Sequence, residues 1–203
     1  MTDTVNQESS NPPNGPEFFD VLAVHKAIDE ARRVGIGHGH GFLRSGLALP
    51  GVKDYISASK KRSDTRQFPA TKNMIVDNPL VLTFKNGFSL DPIIAALDSA
   101  VAVHYNVENL QTESSSMVIY EPSGHTPMHS DPAILRLVLT LAGEGTEEYR
   151  EWGENRTEHH HASPGNITAM MAIPGEEFLP LHGVLPVTEG RAIVETSYKL
   201  QRT

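Results

Sequence analysis

Apolar side chains in the first half of the chain recur at helical spacing. Between residues 18 and 34 they return every three or four positions, and Gly35 follows the last of them. A period of about 3.6 residues that ends at a glycine predicts an amphipathic helix. A second helix is predicted from Ser89, a suitable N-cap, to about Tyr105. Glycines interrupt any period between residues 35 and 69, so this stretch has no assignment.

The second half of the chain changes to short runs rich in β-branched and aromatic residues. Residues typical of turns separate these runs. The predicted strands cover residues 115–120, 135–142, 148–152, 167–173 and 191–198. Helices followed by many short strands indicate a mainly β fold with N-terminal helices, of the sandwich or jelly-roll type.

The length of 203 residues suits one domain with a floppy end. Residues 1–17 are rich in Asn, Ser, Pro and Gly, a composition that predicts a disordered tail. We expect residues 18–203 to form a single domain, with helical support over about 18–110 and a β core over about 111–203.

The composition excludes several kinds of chemistry. The chain has no cysteine, so disulfides, thiolate metal sites, iron–sulfur clusters and cysteine nucleophiles are ruled out. The formal net charge of −8 argues against general binding of nucleic acid. No run of about 18 apolar residues is present, and the N-terminus lacks the apolar centre of a secretion signal. We therefore expect a cytoplasmic protein that binds no membrane. As a partner we expect a small-molecule substrate, and the oligomeric state stays open.

One short motif joins two side chains that bind divalent metals. If His129-Ser130-Asp131 lies on a strand, residues i and i+2 point to the same face and present an imidazole and a carboxylate together. Iron(II) accepts this pair of ligands. Alone the motif is weak evidence, because two exposed polar residues beside a turn give the same pattern.

A third candidate ligand, His182, lies 51 residues after Asp131 and follows the predicted strand at 167–173. Two histidines and one carboxylate on one face of an octahedral metal leave three open positions. A bidentate 2-oxo acid together with dioxygen needs that number of positions.

A cation follows His182 after nine residues, at Arg191. An antiparallel hairpin across the intervening glycine-containing turn would return Arg191 to the cavity that holds His182. A guanidinium offers parallel N–H groups to a carboxylate, so Arg191 is a candidate for binding the far carboxylate of a 2-oxo acid.

The chain has ten histidines, and the others are predicted to be less suitable as ligands. His38 and His40 alternate with glycines, which predicts a flexible turn without a third ligand. The run at 159–161 is predicted to be an exposed loop, because adjacent side chains do not readily converge on one ion. His125 is more consistent with shaping the turn before His129.

Together these motifs resemble those of the iron(II)/2-oxoglutarate-dependent dioxygenase superfamily, within it the small prolyl-hydroxylase-like branch. The matching stretch runs from about residue 117 to 198, under half of the chain. It contains the strand-like run at 117–120, the metal motif at 129–131 and the interval at 182–191. The resemblance implies a double-stranded β-helix, which is a jelly-roll, cupin-like fold.

The resemblance also implies an activity and a site. Iron(II) is bound by His129, Asp131 and His182, and a substrate is oxidised with O2 while 2-oxoglutarate becomes succinate and CO2. Arg191 binds the far carboxylate of the 2-oxoglutarate, and Tyr120 contacts this co-substrate.

Two positions depart from the family pattern. Many relatives have a serine two residues after the arginine, where this chain has Ile193. Relatives in the prolyl-hydroxylase branch often have a tyrosine on the strand after the metal motif, where the run at 135–142 offers only Thr140 as a polar candidate. Thr140 is therefore our candidate for the second contact to the co-substrate.

Two charged residues are candidate substrate contacts. Arg136 lies on the predicted strand after the metal motif. Glu195 shares a face with Arg191 if their strand alternates regularly, and a charge on an inner face is costly unless it is paired. A structural ion pair between Glu195 and Arg136, or a lysine, is the alternative.

Two other classes of protein fit the same pattern. A cupin-like metal enzyme would use the three ligands without 2-oxoglutarate and would not need Arg191. A non-catalytic jelly-roll binding module would tolerate the loss of all three ligands.

Overall fold

The structure is a computed structural model that describes part of the chain. The described residues are 19–43, 71–75, 91–105, 110–120, 123–188 and 190–200. The predicted tail at 1–17 and the predicted N-cap Ser89 lie outside this part.

Helices come first and most strands follow, as predicted. The helices are α1 (Val21–Val34) and α2 (Asp91–Tyr105). The strands are β1 (Ile36–His40), β2 (Thr71–Ile75), β3 (Leu110–Tyr120), β4 (Thr126–His129), β5 (Leu135–Ala142), β6 (Gly145–Tyr149), β7 (Glu158–Ala162), β8 (Asn166–Met171), β9 (His182–Val184) and β10 (Arg191–Leu200). Neither α1 nor α2 has the length and apolarity that a membrane-crossing helix requires.

The strands form two antiparallel sheets. The larger sheet has the order β1-β8-β5-β10-β3-β2, and the smaller has the order β4-β9-β6-β7. Apolar side chains of both sheets, such as Val138 and Ile193 from the larger and Val184 from the smaller, pack in one buried cluster. Two sheets that share a core in this way form a jelly roll, which confirms the predicted fold class.

The helices cover the outer face of the larger sheet. Val24 and Ile28 of α1 and Leu97 of α2 are fully buried in a second apolar cluster with Leu137 and Val194 of the sheet. Every second residue of these strands therefore faces the helices, while the alternate residues face the smaller sheet.

Local chemistry fixes both ends of α1. The Asp20 side chain accepts a hydrogen bond from the Leu22 amide at 2.9 Å, which is an N-cap. Gly35 ends the helix with φ of 92°, and its N–H bonds to the Ala31 carbonyl. That left-handed conformation favours glycine, so the glycine that marks the predicted helix end is required there.

The predicted flexible turn at His38 and His40 is wrong, because these residues belong to β1. Gly37 and Gly39 face the backbone of α1, where an added Cβ would lie 2.0 Å from the Ala27 carbonyl oxygen and 1.9 Å from that of Ala23. The two glycines are needed for this close approach of helix to strand, and they do not make the segment a turn.

The predicted exposed loop at 159–161 is also wrong. These residues belong to β7, which pairs with β6 along its whole length. The predicted strand at 148–152 began too late, since β6 spans Gly145–Tyr149. This shift matters for the site, because it adds Glu147 to the strand.

The predicted hairpin between His182 and Arg191 does not form. His182 begins β9 of the smaller sheet, while Arg191 begins β10 of the larger sheet. The chain between them crosses from one sheet to the other, so β9 pairs with β4 and β6 and β10 pairs with β3 and β5.

Candidate active site

A cavity of about 410 Å³ opens between the two sheets. Val138, Met170 and Ile193 line it from the larger sheet, and Tyr149 and Val184 line it from the smaller. Polar side chains add to this apolar wall, so the cavity combines the two kinds of lining that small-molecule sites share.

The three predicted metal ligands converge at this cavity. His129 ends β4 and His182 begins β9, and the two residues are direct partners across the antiparallel pair. Asp131 lies just beyond the end of β4, not on the strand as predicted, yet its side chain meets both rings. One ligand atom from each residue lies within 4.8 Å of the other two.

Backbone carbonyls orient both imidazoles. The Nδ1 of His129 donates to the Pro127 carbonyl at 2.9 Å, and the Nδ1 of His182 donates to the Pro180 carbonyl at 2.8 Å. A carbonyl only accepts, so the proton of each neutral ring is on Nδ1 and the Nε2 lone pair is free. This second contact is the arrangement that fixes histidine ligands of metals.

Three acceptors meet where the Nε2 atoms point. The Oδ2 of Asp131 is 3.1 Å from Nε2 of His129 and 3.5 Å from Nε2 of His182. Only a protonated His129 can donate from Nε2 to Asp131, and this contact raises the pKa of His129. The contact with His129, followed by that with His182, holds the pKa of Asp131 well below its usual range.

The residues present fit a divalent metal. The Nε2 of His182 is buried and has no hydrogen-bond partner among the described residues. A cation between the three side chains would satisfy this nitrogen and separate the facing lone pairs. Two nitrogens and one carboxylate oxygen are a donor set that iron(II) accepts.

Arg136 lies directly beside this group. Its Nη1 donates to Oδ2 of Asp131, and its Nε donates to the hydroxyl of Ser197 at 3.0 Å. Among the described residues that line the cavity, Arg136 is the one side chain with a permanent positive charge.

Arg191 is fully buried, with no exposed surface, and contacts a carboxylate of the chain itself. Its Nη2 donates to Oε1 of Glu147 at 2.5 Å and to the hydroxyl of Thr140 at 2.7 Å. Its Nε and Nη1 have no hydrogen-bond partner among the described residues. Glu147 lines the cavity, whereas Arg191 lies behind it.

A chain of hydrogen bonds holds Glu147 from its other side. The Thr168 hydroxyl donates to Oε2 of Glu147 at 2.6 Å, and Nδ1 of His38 lies 3.2 Å from the same hydroxyl. Since the one proton of Thr168 goes to Glu147, His38 donates from Nδ1. His38 stacks on His160, with ring centroids 3.8 Å apart.

The charges in this cluster follow from burial and pairing. Burial opposes the charge of Glu147, but Arg191 and the hydrogen bonds from Arg191 and Thr168 outweigh it and hold the pKa of Glu147 below its usual value. Burial, followed by the neighbouring His160, lowers the pKa of His38 to about 4. His38 is therefore neutral at pH 7.

Glu195 faces the cavity together with Ile193 and Ser197, as strand alternation predicts. The register shift between β10 and β5 places Ala192 opposite Ala142 and Ile193 opposite Thr140. The extra residue is on β5, so β10 keeps its alternation. Burial raises the pKa of Glu195, and the hydrogen bonds of Arg136 go to other partners.

Tyr120 also lines the cavity. Its hydroxyl is 3.1 Å from the Thr126 hydroxyl, and burial, followed by the neighbouring Glu195, raises its pKa above the usual value. Tyr120 pairs with Arg191 across β3 and β10, so the two predicted co-substrate contacts are cross-strand neighbours.

The sequence did not single out Glu147 or Thr168, and it assigned His38 to a turn outside the site. The alternation of Gly145, Glu147 and Tyr149 on one face of β6 was the available signal for Glu147, but the predicted strand began at residue 148. Nothing in the sequence indicates that a residue of β6 pairs with Arg191, because the two belong to different sheets.

No protein-family profile matches the chain, and no curated protein sequence matches it. Solved structures do share its fold. A prolyl-4-hydroxylase from Pseudomonas putida is 14% identical, with a TM-score of 0.61 over 89% of this chain and 100% of that one. A prolyl hydroxylase from Trichoplax adhaerens, solved with a hypoxia-inducible-factor peptide, is 11% identical, with a TM-score of 0.62 over 88% of this chain and 90% of that one.

A third similar structure contains a metal and 2-oxoglutarate. HygX from Streptomyces hygroscopicus, solved with nickel and 2-oxoglutarate bound, is 12% identical, with a TM-score of 0.56 over 85% of each chain. At these identities the likeness concerns the fold. The chain has the jelly-roll fold of prolyl hydroxylases and related 2-oxoglutarate-dependent oxygenases.

Proposed function

We propose that this protein is a non-haem iron(II) oxygenase that oxidises a small molecule with O2 while converting 2-oxoglutarate to succinate and CO2. The observation that carries the proposal is the convergence of His129, Asp131 and His182 at one wall of a cavity, in a fold that such oxygenases share.

The three side chains would hold the iron by one atom each. The carbonyls of Pro127 and Pro180 keep both rings in the tautomer that binds metal through Nε2. When bound, the iron supplies the activation of O2 and the oxidative decarboxylation of the 2-oxo acid. Arg136 holds the carboxylate of Asp131 in place and balances its charge.

The co-substrate would extend from the metal toward Arg191. Two nitrogens of Arg191, Nε and Nη1, are buried without an acceptor among the described residues, and such groups are costly unless a partner satisfies them. The Thr140 hydroxyl, which already contacts Arg191, and the Tyr120 hydroxyl are the proposed additional contacts.

The substrate would meet two further charged groups that line the cavity. Arg136 and Glu195 lie on neighbouring strands and face the same space. Because no hydrogen bond of Arg136 goes to Glu195, the carboxylate is placed to receive a cationic or hydrogen-bond-donating group of the substrate. A volume of about 410 Å³ suits a small molecule.

A second candidate function has one observation in its favour. A metal enzyme of the same fold that does not use 2-oxoglutarate has no need of a free cation, and here Arg191 is paired with Glu147. The two functions differ in whether O2 consumption depends on 2-oxoglutarate.

The test is reconstitution of the metal-free protein with iron(II) under anaerobic conditions. We expect one iron per chain, and succinate release once O2 and 2-oxoglutarate are added, even without substrate, at a low uncoupled rate. If iron binds but O2 consumption does not depend on 2-oxoglutarate, the second candidate function is supported. Failure to bind iron would overturn both candidate functions. If succinate release does depend on 2-oxoglutarate, a panel of small amines and amino acids identifies the substrate, because the true substrate accelerates succinate release.

A further inference from the structure

The buried guanidinium of Arg191 already has a carboxylate partner. Glu147 reaches it from the opposite sheet, across the space where the sheets face each other, at 2.5 Å. The side chain of Glu147 is 10% exposed and that of Arg191 is not exposed at all. The pair is therefore desolvated, and each charge depends on the other.

Glu147 also stands between Arg191 and the cavity. It contributes to the cavity wall, while Arg191 does not. A ligand carboxylate that reaches Arg191 from the cavity must either displace Glu147 or share the guanidinium with it. Displacement leaves Glu147 unpaired, and sharing brings two carboxylates together; both are unfavourable.

Arg191 nevertheless has unused capacity. Within the part of the chain that the structure describes, Glu147 and Thr140 engage Nη2, whereas Nε and Nη1 are buried and have no acceptor. A guanidinium presents five N–H groups, so a second carboxylate has donors to bind once the repulsion from Glu147 is removed. The site thus contains both a receptor for a ligand carboxylate and a built-in competitor for it.

We propose that Glu147 competes with the far carboxylate of the co-substrate for Arg191, and thereby sets the preference of the site between dicarboxylic and monocarboxylic 2-oxo acids. This inference rests on the proposed function, since it assumes that a 2-oxo acid binds at the metal. Glu147 is a specificity-determining residue in this arrangement and takes no part in the chemistry.

The surroundings of Glu147 determine how firmly it competes. Thr168 donates to its second oxygen at 2.6 Å, and Nδ1 of His38 donates in turn to the Thr168 hydroxyl. These bonds keep the carboxylate directed at Arg191 when no ligand is present. Loss of the Thr168 hydroxyl should loosen Glu147 without removing its charge.

The experiment compares two ligands of equal chain length. 2-Oxoglutarate has the far carboxylate, and 2-oxovalerate lacks it but keeps the metal-binding end. Calorimetric titration of the nickel(II)-loaded protein, which does not turn over, gives the dissociation constant of each acid. The variant is Glu147→Gln, which keeps an acceptor for Arg191 and removes the competing charge.

We expect Glu147→Gln to bind 2-oxoglutarate about tenfold more tightly or better, since removing a buried like charge is worth at least that factor. The affinity for 2-oxovalerate should change by less than about twofold, because that acid has no far carboxylate to bind Arg191. Glu144→Gln removes a charge just before the same strand, where Glu144 is exposed and pairs with His161, and should change neither affinity.

The outcomes separate the inference from the proposed function. Equal tightening of both acids, or no change for 2-oxoglutarate, would overturn the competition while leaving the proposed function intact. Binding of neither acid by any nickel-loaded protein would overturn the proposed function and the inference with it. If Glu147→Gln does not fold, Thr168→Val takes its place: a several-fold gain for 2-oxoglutarate alone supports the competition, and an unchanged ratio overturns it.

Discussion

Arg136 donates to the same carboxylate oxygen of Asp131 that faces the Nε2 atoms of His129 and His182. One oxygen is thus the meeting point of an arginine and two imidazoles. The second contact of Arg136 goes to Ser197, so neither of its hydrogen bonds goes to Glu195 on the neighbouring strand. The structural ion pair considered for Glu195 and Arg136 is therefore replaced by one between Arg136 and Asp131.

The first prediction follows for Glu195. Glu195→Gln keeps the shape and removes the charge, so iron and 2-oxoglutarate should bind as before, and the melting temperature should stay near that of the wild type. Substrate-dependent succinate release should fall by about tenfold or more, because a charge-assisted hydrogen bond worth about 1.5–3 kcal/mol is lost. Steady-state assays with the identified substrate measure this.

A matched control is Glu113→Gln on β3, where the carboxylate forms a partly exposed pair with Lys199. That variant should keep full coupling. A clear drop in the melting temperature of Glu195→Gln with normal coupling would assign Glu195 to the fold and not to the substrate.

The second prediction concerns the metal. Alanine at His129, Asp131 or His182 should each abolish turnover and weaken iron binding strongly, because each supplies one of three coordination positions. Iron content after gel filtration measures the binding. His161→Ala serves as the control, since this ring is 64% exposed and pairs with Glu144, and it should retain iron fully. Iron retained by the His182 variant would contradict the proposed ligand set.

The third prediction tests the buried ion pair through stability. Arg191→Met leaves Glu147 buried without its partner, which should lower the free energy of unfolding by about 3–5 kcal/mol. Adding Glu147→Gln to that variant should recover part of the loss, because the unpaired charge is gone. Urea unfolding of the two single variants and the double variant measures the coupling. Additive losses would show that the two residues do not depend on each other.

The fourth prediction is a pH dependence that originates at His38. Its pKa in the folded protein is about 4, below the ordinary 6.5, so the folded state keeps the ring neutral while the unfolded state takes up a proton. Stability should therefore fall as the pH decreases from about 6.5 toward 4, by up to roughly 3 kcal/mol. His38→Asn keeps a donor for Thr168 and cannot titrate, so it should lose less stability between pH 7 and pH 5 than the wild type. Equal losses in the two proteins would exclude His38 as the source.

Regular periodicity made much of the fold predictable. The helix before Gly35 and the strand at 135–142 follow from spacing and end signals, because local sequence decides them. The inward direction of Glu195 also followed, since alternation along one strand needs no knowledge of its partners.

What the sequence could not supply was the pairing of distant strands. Whether Arg191 meets a ligand or Glu147 depends on which sheet each strand joins, and residues 44 apart on facing sheets leave no local signal. The local sequences around His38, beside glycines, and His160, in a run of histidines, are typical of loops. Both residues lie on strands because neighbouring elements stabilise those strands. Packing against α1 and pairing with β6 override the local preference there.

The two glycines of β1 make the two faces of this strand very different. With Gly37 and Gly39 against the helix, the strand has no side chains on its outer face, and Ile36 and His38 project toward the other sheet. Variation at the inner positions can therefore remodel the wall behind Glu147 while the helix stays in place, whereas even a methyl group on the outer face must push the helix away. In a saturation-mutagenesis screen for folded protein, positions 37 and 39 should accept glycine alone, whereas positions 36 and 38 should also accept other side chains of similar size.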